Sequence, residues 1–164
     1  MKKSVIAALA IPILAATGLA LGQRTGAPES KRVAPYTGDL FGQTEGNTDF
    51  RRVLHTGTRS QLVLMSIPPG GSIGAETHAH VEQTIVIYNG SGEVTLDGKR
   101  TRVDRGDVIV VTPGTRHDLV NSGKVPLQLF TTYVPPNHLP GRVHRTKQDA
   151  ERDLEDERFG RRVE

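Results

Sequence analysis

Glu76, His78 and His80 alternate along the stretch ETHAH. In an extended strand, alternation places all three side chains on one face. Two imidazoles on one face can bind a single metal ion from the same side. A third, His117, follows the turn PGTR and opens another apolar run. If the two strands face each other in a barrel, His117 completes a three-nitrogen set. Histidine is the usual protein ligand of Zn, Fe, Ni, Cu and Mn. An isolated pair of histidines two residues apart is more often two surface side chains, so the surroundings must decide.

The elements that would position these residues are strands. From Phe50 to Tyr133 short apolar runs succeed one another: FRRVLH, QLVLMSI, TIVIYN, GEVTL, KRTRV, DVIVV, HDLVN and LQLFTTYV. Turn residues separate them, including PPGG and the two-residue hairpin turn Asp97-Gly98. No helical period intervenes, which indicates an all-β sandwich or barrel. QLVLMSI is apolar on both faces. A barrel interior covers only one, so a partner subunit or the N-terminal segment must cover the other, and a homodimer is expected. Near the C-terminus, Thr146 can cap a short, mostly solvated helix through DAERDLEDERF, with Asp149 at its third position.

A chain of 164 residues has room for one domain with a real core. With no Trp and no Cys, the core must come from Val, Ile and Leu, and stability from packing alone. The first residues read as an export signal. Lys2 and Lys3 precede an uncharged apolar run to Gly22, and Ala20 and Gly22 stand at the −3 and −1 positions for cleavage before Gln23. An uncleaved membrane anchor is the alternative. The run is short of the roughly 20 strongly apolar residues that a spanning helix needs, and Pro12 interrupts it. The expected organisation is a signal peptide over 1–22, a linker over 23–47, a barrel over 48–140 and a tail with a short helix over 141–164. The location is periplasmic or extracellular. Removing Lys2 and Lys3 from 21 basic residues leaves 19 against 18 acidic ones. With no basic stripe, nucleic acid is not an expected partner.

Two longer segments carry a resemblance. HAHVEQTIVIYNGSGEV is similar to the first motif of the cupin superfamily, in which the paired histidines are followed by Glu or Gln and, six residues later, Gly; here these are Gln83 and Gly90. GDVIVVTPGTRHDLVN resembles the second motif through Gly106, Gly114, His117 and Asn121. The resemblance covers about residues 48–135 and points to a small stand-alone cupin. It implies a jelly-roll β-barrel holding one divalent transition metal (Mn, Fe, Ni or Zn) with His78, His80 and His117. Three departures stand out. Ser72 replaces a Gly, only Val81 and Glu82 separate His80 from Gln83, and Pro113 falls one place late. The shortened gap can displace His80 and bring Glu76 to the metal.

The expected fourth ligand is Gln83. Gln83 shares strand parity with Ile85 and Ile87, so it should point inward, and Glu82 outward. Glu76 is the rival, being on the face of His78 and His80. An all-neutral set would leave a divalent ion its full charge and favour anionic, chelating ligands. If Glu76 is not a ligand, it is the candidate proton carrier.

The fold alone assigns no function. The leading expectation is a metal-dependent enzyme of dioxygenase or isomerase type, acting on a small oxygenated anion. The alternative is a non-catalytic periplasmic or extracellular module that binds a metal or small ligand, and a purely structural metal is a third reading. His55 reads as structural, and His138 and His144 as solvated residues beside a turn that can fold over the barrel mouth.

Overall fold

The structure is a computed structural model that describes residues 33–163. The expected signal segment and cleavage site lie outside the described residues. Among the described residues, nine strands form in chain order: β1 (Arg51–Thr56), β2 (Gln61–Ile67), β3 (Glu82–Asn89), β4 (Ser91–Leu96), β5 (Lys99–Asp104), β6 (Val108–Val111), β7 (His117–Val120), β8 (Leu127–Val134) and β9 (Val143–His144). Helix α1 (Leu40–Glu45) precedes them, and α2 (Lys147–Arg152) and α3 (Leu154–Gly160) follow. One antiparallel sheet runs β6-β3-β8-β2-β1-β9 and a smaller one β5-β4-β7. Together they make the jelly-roll barrel. Among the described residues, no helix is long and apolar enough to cross a membrane.

Strand parity decides what enters the barrel. In β3, Gln83, Ile85 and Ile87 are buried, joined by Val63, Met65 and Ile67 of β2 and Leu119 of β7. Two turns need glycine. Asp97 (φ 46°) and Gly98 (φ 83°) reverse the chain between β4 and β5. A Cβ on Gly90 would lie 2.9 Å from the Pro126 carbonyl, so β8 could not pass there.

Both ends of the described chain are more ordered than expected. Within the segment read as a linker, Asp39 caps α1 by accepting from the Gly42 amide. Phe41 packs its ring against Tyr88 and Phe130 on the outside of the large sheet. Leu64, on the outer face of β2, is 1% exposed beside Gln43, Gly46 and Asn47. The stretch that follows Asp39 therefore covers that second apolar face. At the other end, Thr146 and Asp149 form the expected capping box. The helix then breaks at Asp153, which caps α3, and α3 buries Asp156 against the barrel.

Candidate metal centre and its cavity

Glu76 and His117 are partners in an antiparallel bridge. Each amide donates to the other's carbonyl at 2.9 Å. Directly paired residues project to the same face, so carboxylate and imidazole meet inside the barrel mouth. His78, two residues on, falls on the same face. Its carbonyl accepts from the Gly114 amide at 2.7 Å, where φ is 83°, so the turn before His117 also fixes His78. Gln83 reaches the same point from β3. His117 is 1% exposed and His78 8%.

The donor atoms converge. Glu76 Oε1 lies 3.5 Å from His78 Nε2 and 3.3 Å from His117 Nε2. Gln83 Oε1 lies 3.1 Å from His117 Nε2. One ligand atom from each of Glu76, His78 and His117 can be chosen so that all lie within 4.8 Å of one another. His117 Nδ1 is 3.1 Å from the Thr115 carbonyl, which fits a ring whose Nδ1–H donates there. Its Nε2 then turns a lone pair toward two oxygens. Such an arrangement is unfavourable unless a proton or a cation lies between them, and a backbone carbonyl on the far nitrogen is the usual way to orient a metal-binding imidazole. Donors each about 2.0–2.2 Å from a common ion stand about 3–3.5 Å apart, so these separations fit a metal. Burial alone would raise the Glu76 pKa. When protons rather than an ion occupy the His117 and His78 nitrogens, their hydrogen bonds and charge outweigh it, holding the carboxyl well below its ordinary range.

A cavity of about 290 Å³ opens onto Glu76 and His78. Its wall is built from β1, the 135–141 turn and α3, and includes Arg51, Asn137, His138 and Asp156. Gln61, buried in β2, holds the turn by donating to the His138 carbonyl (2.7 Å) and accepting from its amide (2.9 Å). Asp156 accepts from Arg51 (3.0 Å), His138 Nδ1 (2.9 Å) and the Leu139 amide (2.7 Å). Arg51 Nη1 lies 3.4 Å from His138 Nε2, which fits the neutral ring with its proton on Nδ1. Burial lowers the His138 pKa, more than the Asp156 hydrogen bond raises it. For Asp156, burial is outweighed by hydrogen bonds from His138 and Leu139 and by Arg51, and its pKa falls to about 2. Tyr133, edge-on to His78 and His138, has its phenol pushed up by burial and by the Glu76 charge, so it stays protonated.

Glu76, His78, His117 and Gln83 thus meet, and His80 does not. The stretch ETHAH is not one continuous strand. It leaves the bridge after Glu76 and bends at Ala79 and His80, which leaves His80 exposed. Only two residues then remain before Gln83 must enter β3. His138 and His144, read as solvated, are buried. His144 Nε2 pairs with Asp153 at 2.9 Å. His55 stacks on Tyr36. Asn121, from the second motif, ties loops together by donating to the Ile67 and Val125 carbonyls. Arg51, Asn137 and Asp156 escaped notice because no local pattern links them. The acidic run 149–157 reads as a solvated helix, and only the break at Asp153 turns Asp156 inward.

Comparison with known proteins agrees with this architecture. A family model described as "Cupin domain" matches residues 63–133. The chain is 38% identical over 122 residues to the uncharacterized protein YrkC of Bacillus subtilis, a match covering 71% of this chain and 66% of that one, so it spans about two thirds of that relative's length. It is 30% identical over 112 residues to the uncharacterized protein MJ1618 of Methanocaldococcus jannaschii, covering 66% of this chain and 85% of the other. The crystal structure of BH2720 from Bacillus halodurans superposes with a TM-score of 0.71 at 35% identity, over 72% of this chain and 94% of that one.

Proposed function

We propose that this chain, which belongs to the cupin family, is a metal-dependent enzyme of dioxygenase or isomerase type acting on a small oxygenated, chelating anion. The observation that carries the reading is the convergence of Glu76, His78 and His117, with Gln83, beside an open cavity. A site for a purely structural ion would be closed and fully ligated from the protein. Here the Glu76 side chain is 36% exposed and the cavity reaches it.

His78, His117, Glu76 and Gln83 would hold one divalent ion. When bound, it supplies Lewis-acid charge that polarises a carbonyl or stabilises an enolate oxygen. The surrounding residues set which ligands fit. Around the cavity Glu76, Asp156 and Glu157 stand against Arg51 and Arg161, one net negative charge. A divalent ion changes that to one net positive charge, and a monoanion neutralises it. This reaches the anionic preference expected from a neutral ligand set, with a smaller excess because a carboxylate takes part. A volume of about 290 Å³ lies at the lower edge of the roughly 300–1,000 Å³ of small-molecule sites. That volume suits a small molecule. The protonated Tyr133 phenol and the neutral His138 ring are groups near the mouth able to donate or exchange a proton, the role first considered for Glu76.

A non-catalytic ligand-binding module would share the metal and the anion preference. Turnover separates the two readings. The protein loaded with Mn2+ or Fe2+ is incubated with 2-oxo and 2-hydroxy acids, and products and oxygen uptake are followed. Conversion of any of them supports the enzyme. Tight binding without conversion supports the module, and no binding of metal or acid contradicts both.

A further inference from the structure

A second cavity, of about 340 Å³, opens where the end of β2, the start of β8 and the link between β9 and α2 come together. None of its lining residues also lines the cavity at Glu76 and His78. Phe50, only 5% exposed, supplies apolar surface to it together with Pro68 and Pro126. Arg145 and Lys147 line it as well, and no acidic residue does. Among the described residues Arg145 makes no ion pair, and Lys147 has only Glu151, at 3.8 Å and with a side chain 62% exposed. A pair so open to water holds the ammonium weakly. Lys147 is instead drawn over the 68–74 turn. Its Nζ lies 3.4 Å from Ser72 Oγ, and a Cβ on Gly74 would come within 3.2 Å of it. Ser72 is the departure from the first motif that the metal centre leaves unexplained. Its hydroxyl engages one ammonium proton and leaves the others for an anion.

We propose that this pocket is a second binding site, separate from the metal centre, for a free amphipathic monocarboxylate. Its apolar body lies against Phe50, Pro68 and Pro126, and its carboxylate meets Arg145 and Lys147. A small polar anion would leave the apolar wall facing water. An uncharged apolar molecule would strip water from two cations and return nothing. A molecule with both parts satisfies both surfaces. The volume falls within the range of small-molecule sites, which fits a free molecule rather than a bilayer surface.

Octanoate, butyrate and octan-1-ol are titrated into the 15N-labelled protein and followed by amide chemical shifts. Octanoate should shift the amides of Gly71, Ser72 and Lys147 and leave those of Glu76 and His78 in place. It should bind about tenfold or more tightly than octanol, which lacks the charge. Each methylene that enters the pocket tightens binding roughly threefold to fourfold, so butyrate should bind at least about tenfold more weakly than octanoate. The double variant Arg145→Gln/Lys147→Gln replaces side chains at the surface. It should keep the wild-type spectrum elsewhere, and its octanoate affinity should fall to that of octanol. Octanoate no tighter than octanol or butyrate, an unchanged affinity in the double variant, or shifts centred on Glu76 and His78 would each overturn the inference. Sedimentation with phosphatidylglycerol vesicles, lost in the double variant and without octanoate binding, would make the two cations a membrane contact and overturn it as well.

Discussion

Replacing Asp156 by Asn should unfasten the C-terminal helices from the barrel, and its cost can be worked from the structure. The carboxylate is buried and accepts from Arg51, His138 and the Leu139 amide at 3.0, 2.9 and 2.7 Å. Its pKa falls from 3.8 to about 2. A depression of that size stabilises the folded state by about 2 kcal/mol wherever the group is ionised in both states. The substitution also leaves Arg51, whose side chain is only 16% exposed, without its carboxylate. Breaking a buried pair from one side costs about 3–5 kcal/mol, so the expected loss at pH 7 is about 2–4 kcal/mol. For a chain of this size that lowers Tm by roughly 5–15 °C. The pH dependence carries a definite sign. Because the folded pKa is depressed, the Asp156 contribution is fully present above about pH 4 and disappears as pH falls through about 2. The gap between wild type and Asp156→Asn should therefore be widest near neutrality and close toward pH 2. Urea melts followed by circular dichroism at pH 7, 4 and 2.5 measure it. Equal stability at pH 7, or a gap that persists undiminished at the lowest pH, would show that Asp156 does not fasten the helices through its charge.

Gln83→Glu adds a negative charge in nearly the same volume. It should keep its metal but bind oxalate more weakly by roughly 1–3 kcal/mol, read by titration calorimetry, and unchanged affinity would place Gln83 away from the ion. Protein recovered from the exported fraction should begin at Gln23 by intact mass spectrometry, whereas Met1 in a membrane fraction would establish an anchor. Because Gln43, Gly46 and Asn47 cover the outer face of β2 that was to pair with a partner, the expected homodimer would form instead through Val108 and Val110, which are 61% and 51% exposed on β6 at the end of the large sheet. Light scattering should give a dimer mass at micromolar concentration that falls to the monomer in Val110→Lys, and a monomeric wild type contradicts the expectation.

The barrel was legible because period-two patterns and turn residues are local signals. The Asp97-Gly98 hairpin, the inward Gln83 and the Thr146 cap each follow from a few neighbouring residues, and each stands where those residues place it. The site was legible in part. Parity puts Glu76 and His78 on one face, but parity holds only while the strand lasts, and the bend at Ala79 ends it before His80. The short gap to Gln83 was the clue, since a chain entering β3 so soon has no room to return His80 to the interior. The cavity wall was not legible. Arg51 and Asp156 are 105 residues apart, and their pairing depends on how α3 docks. Neither β1 nor the acidic tail carries a pattern that announces it. His138 looked solvated for the same reason: its burial comes from Asp156 and Tyr133, both distant in sequence.

Glu76, His78 and His117, with Gln83, are proposed to hold one metal ion. Elemental analysis of protein purified from its native compartment tests this most directly, alongside Glu76→Ala, His117→Ala and His80→Ala variants. About one ion per chain is expected in the wild type and in His80→Ala, and almost none in His117→Ala or Glu76→Ala, with folding of each checked by circular dichroism. Full occupancy in folded His117→Ala or Glu76→Ala, or loss of the ion in His80→Ala alone, would contradict that assignment.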